Sequence, residues 1–146
     1  MNRFMQLAYE EAMRGMNAGA GGPFGAVIVR EGEVIATAHN SVLRTNDPTM
    51  HAEIAAIRAA SAKLGRFDLS DCELYATCQP CPMCQGAIQW ARLKKVYYGA
   101  SAEDAAQGGF DDAVFHAVPP AMEVVDSDEM RGLFSLWLQK PDRQGY

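Results

Sequence analysis

Two periods of hydrophobic and polar residues run along this chain, and the changes from one to the other mark out its elements. In residues 3–16, Met5, Ala8, Tyr9, Ala12, Met13 and Met16 recur at helical spacing, with Glu10, Glu11 and Arg14 on the polar side. This predicts an amphipathic helix whose methionines fill core gaps. The stretch Asn17-Ala18-Gly19-Ala20-Gly21-Gly22-Pro23 ends it. That loop lacks the spacing of a phosphate cradle, so it is either a close approach of backbone to a site or a flexible turn. Residues 24–30 form a continuous apolar run, which predicts a strand buried on both faces. Glu31-Gly32-Glu33 is a hairpin turn and residues 34–40 the return strand, so the first pair is antiparallel.

A polar loop follows over residues 41–49. Asp47-Pro48-Thr49 is a helix-start signal, an N-cap candidate before a first-turn proline. The predicted helix runs through His51 to Leu64, with Ala52, Ala55, Ala56, Ala59 and Ala60 favouring it and allowing close packing on a sheet; Gly65 caps it. Residues 71–77 read as a third strand, with Cys72 in the core. A helix from about Cys81 to Ala91 and a fourth strand over residues 95–99 come next. A strand–helix–strand unit implies a right-handed crossover and parallel pairing. Residues 102–107 can form a short helix that Gly108-Gly109 stops. Residues 122–126 read as a fifth strand, delayed by Pro119-Pro120. Ser127 caps a last helix to about Lys140, with Met130, Leu133, Phe134, Trp137 and Leu138 as its apolar face. Residues 141–146 are a short tail that, taken alone, reads as a frayed terminus. The order predicts an α/β fold: a three-layer α/β/α sandwich around a mixed five-stranded sheet.

Bulk numbers narrow this little but usefully. At 146 residues the chain suits a single domain with one core. It is 49% hydrophobic and 21% charged, which argues against disorder. A net charge of −5 disfavours a dedicated nucleic-acid binder, which carries a basic face. No basic flank with an apolar run opens the chain, and no stretch is long enough to span a membrane. The four cysteines, at 72, 78, 81 and 84, are bunched and give no disulfide framework. A reducing cytoplasm fits them.

Candidate chemistry gathers in two stretches, His51-Ala52-Glu53 and Pro80-Cys81-Pro82-Met83-Cys84. One His and two Cys make three zinc ligands and leave a fourth place for water, which separates a catalytic from a structural zinc. Cys81 and Cys84 are i and i+3, so both sulfurs point to one side of a helix start. Glu53, beside a ligand but not needed as one, can relay protons between water and a leaving amine. Residues i and i+2 diverge on a regular helix, so His51 and Glu53 share a site only if the helix begins there. Both motifs then sit at helix N-termini, whose positive end favours thiolate and hydroxide. The bland alternatives are buried cysteines, or a closed knot in which Cys78 supplies a fourth ligand. Other polar residues read modestly. His39 and His116 are surface or satisfied histidines, Asn40 is a turn residue or a base-recognising amide, and Asp111-Asp112 is a solvated loop pair.

These motifs resemble the cytidine deaminase superfamily, whose signature is H-x-E followed by P-C-x-x-C. Within it the chain is similar to the bacterial guanine deaminases over nearly its whole length, through residues 21–27, Asn46-Asp47-Pro48-Thr49, Gly86-Ala87-Ile88, Trp90-Ala91-Arg92, Asp104-Ala105-Ala106 and Gly109-Phe110-Asp111-Asp112. The resemblance implies one zinc held by His51, Cys81 and Cys84, with Glu53 and Asp112 as catalytic acids. It implies that Asn40 hydrogen-bonds the base and Phe24 packs on its ring. Ala52 offers backbone groups, Trp90 lines the pocket, and Asp112 meets the base near the leaving amine. It further implies a homodimer that exchanges C-terminal segments, Tyr146 of one chain closing the site of the other. The implied activity is hydrolytic deamination of a free nucleobase, guanine first, with cytosine, ammeline, a pterin or tRNA adenosine as alternatives. A non-catalytic zinc module or a purine-binding protein is the reading of another class. Gln79 departs from the pattern: it stands where the family commonly has Glu, so one acid beside the zinc helix is missing.

Overall fold

The computed structural model describes residues 1–111, 115 and 117–146. Asn2 opens the first helix, α1 (Arg3–Asn17), by accepting from the backbone N–H groups of Phe4 and Met5. Strands β1 (Gly25–Arg30) and β2 (Glu33–His39) follow as an antiparallel hairpin. Its turn is made by Glu31 and Gly32, both with positive φ, which matches the twist of the strands it joins. Then come α2 (Val42–Thr45), α3 (Ala52–Leu64), β3 (Cys72–Cys78), α4 (Pro82–Ala91), β4 (Lys95–Ala100), α5 (Ala102–Gln107) and α6 (Ser127–Gln139).

The sheet order is β2-β1-β3-β4, with β1 antiparallel to both neighbours and β3 parallel to β4. Strand β1 is buried on both faces, as its unbroken apolar run predicts. Ala26 and Ile28 point into a core with Ala52, Ala56 and Ala60 of α3 and Ile88 of α4. Val27 and Val29 point the other way, onto Ala8 and Tyr75 beneath α1. The alanine spacing in α3 lets that helix lie close on the sheet, as predicted. Three layers result.

Three expectations need correction. The sheet has four strands among the described residues, not five: residues 122–126 form no strand. Met122, Val124 and Val125 are exposed there, and Pro119-Pro120 contribute no N–H donors. The last helix is N-capped by Asp126 and not by Ser127, whose hydroxyl accepts from Arg131 instead. The buried face of α1 is Ala8, Glu11, Ala12 and Gly15, while Tyr9, Met13 and Met16 are exposed. Glu11 is drawn in because its carboxylate pairs with His39 Nδ1 at 2.8 Å and with Arg14. A buried carboxylate with partners outcompetes a methionine for the place against β2.

This topology carries chemistry to one end of the sheet. The start of β1, the end of β2 and the ends of β3 and β4 all lie there, with Gly25 opposite His39 and Cys78 opposite Ala100. So do the N-termini of α3 and α4.

Candidate active site

The helix starts are built alike. His51 is the N-cap of α3 with φ −67° and ψ 161°, and Cys81 is the N-cap of α4 with φ −69° and ψ 169°. Neither side chain caps its own helix, so both are free to face a common point. The helix start predicted at Asp47 lies further on because Asp47 closes a local turn, accepting from the backbone and hydroxyl of Thr49. The delay is what lets His51 and Glu53 serve one site. His51 sits just outside the helix, and Glu53 lies in its first turn.

His51 Nδ1 lies 3.5 Å from Cys81 Sγ and 3.6 Å from Cys84 Sγ, and the three donor atoms lie within 4.8 Å of one another. A tetrahedral zinc, with bonds of about 2.0–2.1 Å to nitrogen and about 2.3 Å to sulfur, separates such donors by roughly 3.6 Å. The donor set therefore fits zinc in both chemistry and spacing. Cys78 is not in the cluster: its thiol donates to the Ser101 carbonyl at 3.6 Å. Among the described residues the closed four-ligand knot is not formed, and three donors leave a coordination place open.

With no metal charge between them, the two thiols share one proton, carried by Cys84. The hydrogen bond from Cys84 pulls the Cys81 thiol down to about 4, with His51 adding to the effect. Cys84 is pushed well up, first by Cys81 and then by burial. His51 is raised by its hydrogen bond to Cys81. Burial raises Glu53, opposed by hydrogen bonding to Cys84. A carboxyl so placed is suited to holding and releasing a proton.

Beside the cluster is a cavity of about 290 Å³, the size for a small planar heterocycle. Its polar lining includes Asn40, His51, Glu53 and Gln79, and its apolar walls include Phe24 and Phe110. Those two rings meet edge to face at 4.9 Å. The glycine-rich loop proves to be a close approach. A Cβ on Gly21 would lie 2.0 Å from Asn40 Oδ1, and one on Gly22 would lie 2.8 Å from the Phe110 ring. Asn40 is buried, and its Oδ1 accepts from Val42 N–H at 3.1 Å. Ala52, fully buried, is the first residue of α3.

The structure thus brings Phe24, Asn40, His51, Ala52, Glu53, Cys81 and Cys84 to one end of the sheet. It does not bring Trp90 or Tyr146 to this cavity. Trp90 is on the last turn of α4, at the far end, 6.2 Å ring to ring from Tyr146, which also meets Phe67. Asp112 and His116 lie outside the described residues. The sequence reading left Phe110, Met83 and Gln79 out of the lining. Gly22, whose absent side chain makes room for Phe110, was the available signal.

An open His/Cys/Cys centre at two helix N-termini, with a buried carboxyl beside it and a heterocycle-sized cavity, defines a zinc-dependent hydrolytic nucleobase deaminase. Residues 1–100 match the family described as cytidine and deoxycytidylate deaminase zinc-binding region, and the chain belongs to it. The chain is 55% identical to guanine deaminase of Bacillus subtilis over 113 residues, 77% of this chain and 72% of that protein. A crystal structure of guanine deaminase from the same organism superposes with a TM-score of 0.91 at 44% identity, covering 100% of this chain and 99% of that one. The chain is also 46% identical to the tRNA-specific adenosine deaminase of Aquifex aeolicus over 106 residues, 73% of this chain and 68% of that protein.

Proposed function

We propose that this protein hydrolyses guanine to xanthine and ammonia. The observation that carries the reading is the open zinc-ligand triad with Glu53 beside a small cavity, in a chain that follows a guanine deaminase from end to end. Bound zinc supplies a Lewis acid that makes water nucleophilic near neutral pH. Phe24 packs on the base, Asn40 hydrogen-bonds its edge, and backbone groups at Ala52 orient it. Glu53 takes a proton from the attacking water and protonates a ring nitrogen. Oxygen adds to the carbon that bears the exocyclic amine. Glu53, with Asp112 beside the amine, then carries the proton of the new hydroxyl to the exocyclic nitrogen; the carbonyl forms, the C–N bond breaks, and neutral ammonia leaves.

The protein acts in this reading as a cytoplasmic homodimer with exchanged C-terminal segments. Support comes from α6, which buries no residue in its own protomer and leaves Leu133, Phe134 and Leu136 exposed. An apolar helix face so bare asks for a partner. Tyr146 of the partner then closes the cavity. The thiolate ligands need a reducing compartment. No helix among the described residues is long and apolar enough to cross a membrane.

Ammonia release from guanine, cytosine, adenine and ammeline, compared at equal concentrations, tests the substrate. Guanine should lead; a leading cytosine or adenine overturns the assignment. The second reading, tRNA adenosine deamination, is favoured by the Aquifex relative and opposed by the net charge of −5. Salt-sensitive RNA binding would revive it.

A further inference from the structure

Glu11 is a buried carboxylate that the reaction above does not use, and both of its oxygens are engaged. Oε2 lies 2.8 Å from His39 Nδ1. A carboxylate only accepts, so His39 carries its hydrogen on Nδ1 and donates it. Oε1 accepts from Arg14 on α1 and from the Thr37 hydroxyl at 3.5 Å. Residues 37 and 39 are two apart on β2 and share one face of the sheet, so a single side chain of α1 grips that strand twice. The His39 ring has no second anchor of this kind. Its Nε2 is buried and has no hydrogen-bond partner among the described residues. Helix backbone sits directly on the ring, because a Cβ on Gly15 would lie 2.5 Å from it.

What this pair holds is the last rung before the cavity. His39 stands opposite Gly25 at the end of the β1–β2 ladder. The next residue, Asn40, donates its backbone N–H to the Phe24 carbonyl at 3.0 Å and lines the cavity. Successive residues of an extended chain point to opposite faces. His39 therefore goes under α1 while Asn40 goes to the cavity, back to back across one peptide. A twist of the strand end about its own axis would swing both side chains together.

We propose that Glu11 and His39 are positioning residues for base recognition: they clamp the end of β2 from behind and so set the direction of the Asn40 amide in the cavity. The inference deepens the guanine reading and rests on it through Asn40. Neither residue lines the cavity or belongs to the metal cluster.

The test uses the zinc-loaded protein with Glu11→Ala, with Glu11→Gln, and with Glu11→Leu and His39→Leu together. The paired leucines remove both partners at once, so neither is left orphaned and Tm should stay near the parent's. Activity on guanine, zinc content and Tm are read for each, with and without Asn40→Ala. The leucine pair should lose about tenfold in kcat/KM at parental zinc content. Glu11→Gln keeps an acceptor for His39 and should recover most of what Glu11→Ala loses. In the Asn40→Ala background none of these changes should cost more than about threefold further. A readout without substrate is hydrogen exchange at Val42, whose N–H donates to Asn40 Oδ1. It should quicken about tenfold in the leucine pair. Should that pair fail to fold, Glu11→Ala is read in its place, with Glu11→Gln as its rescue. Parental activity in the leucine pair overturns the proposal. So do losses that add in the Asn40→Ala background, which mark a merely structural role, and so does unchanged exchange at Val42. If the unsubstituted enzyme releases no ammonia from guanine, the substrate assignment fails, and the exchange at Val42 still decides the clamp.

Discussion

Replacing Gly21 with alanine tests how the base-recognising amide is held. The new methyl would start 2.0 Å from Asn40 Oδ1 and 2.8 Å from the Asn40 carbonyl oxygen. Relief needs a separation above roughly 3.0 Å, so the Asn40 side chain must move by about 1 Å. It cannot move that far and keep the 3.1 Å bond from Val42 N–H. Losing that bond costs about 1 kcal/mol, and overpacking adds about 1–3 kcal/mol to the folding penalty. A drop of this size shows as several degrees in Tm. The functional effect is larger, because a positioning group displaced by about 1 Å can cost on the order of 100-fold in rate. Ammonia release from guanine should thus lose roughly 30- to 100-fold in kcat/KM at unchanged zinc content.

A double-mutant cycle isolates the cause. Asn40→Ala removes the amide that the methyl strikes, so adding Gly21→Ala to it should cost little further activity. Additive losses in the cycle would refute the argument, because they would mean that the glycine acts through something other than Asn40. So would a Gly21→Ala enzyme within threefold of the parent.

Other expectations are simpler. Glu53→Gln should lower kcat by at least about 100- to 10,000-fold while zinc content, read by atomic absorption, stays near one per chain; substantial turnover would remove Glu53 from its role. Cys81→Ala should lose both zinc and activity, and a strong chelator should inactivate the parent reversibly, with zinc alone restoring it; activity that survives chelation would contradict a catalytic metal. Phe134→Asp on the bare face of α6 should shift the protein to monomer in analytical ultracentrifugation and reduce activity together with it. A monomeric parent would contradict the exchanged-segment dimer.

How far these features can be read from residues alone depends on whether a short-range rule governs them. The burial of β1 on both faces follows from an unbroken apolar run, and the parallel pairing of β3 with β4 follows from the helix between them. The metal cluster is legible because each motif carries its own geometry: an N-cap in extended conformation aims a side chain past the helix end, and two such starts at one sheet end must converge. The failures share the opposite property. The face of α1 is set by the Glu11–His39 pair, two residues 28 positions apart, so a helical period read within residues 3–16 selects the methionines instead. The missing fifth strand has the same origin. A β-like run becomes a strand only when a neighbour accepts its hydrogen bonds, and residues 122–126 find none among the described residues. The direction of an amide such as Gln79 is beyond any local rule, because a backbone N–H 23 residues away decides it.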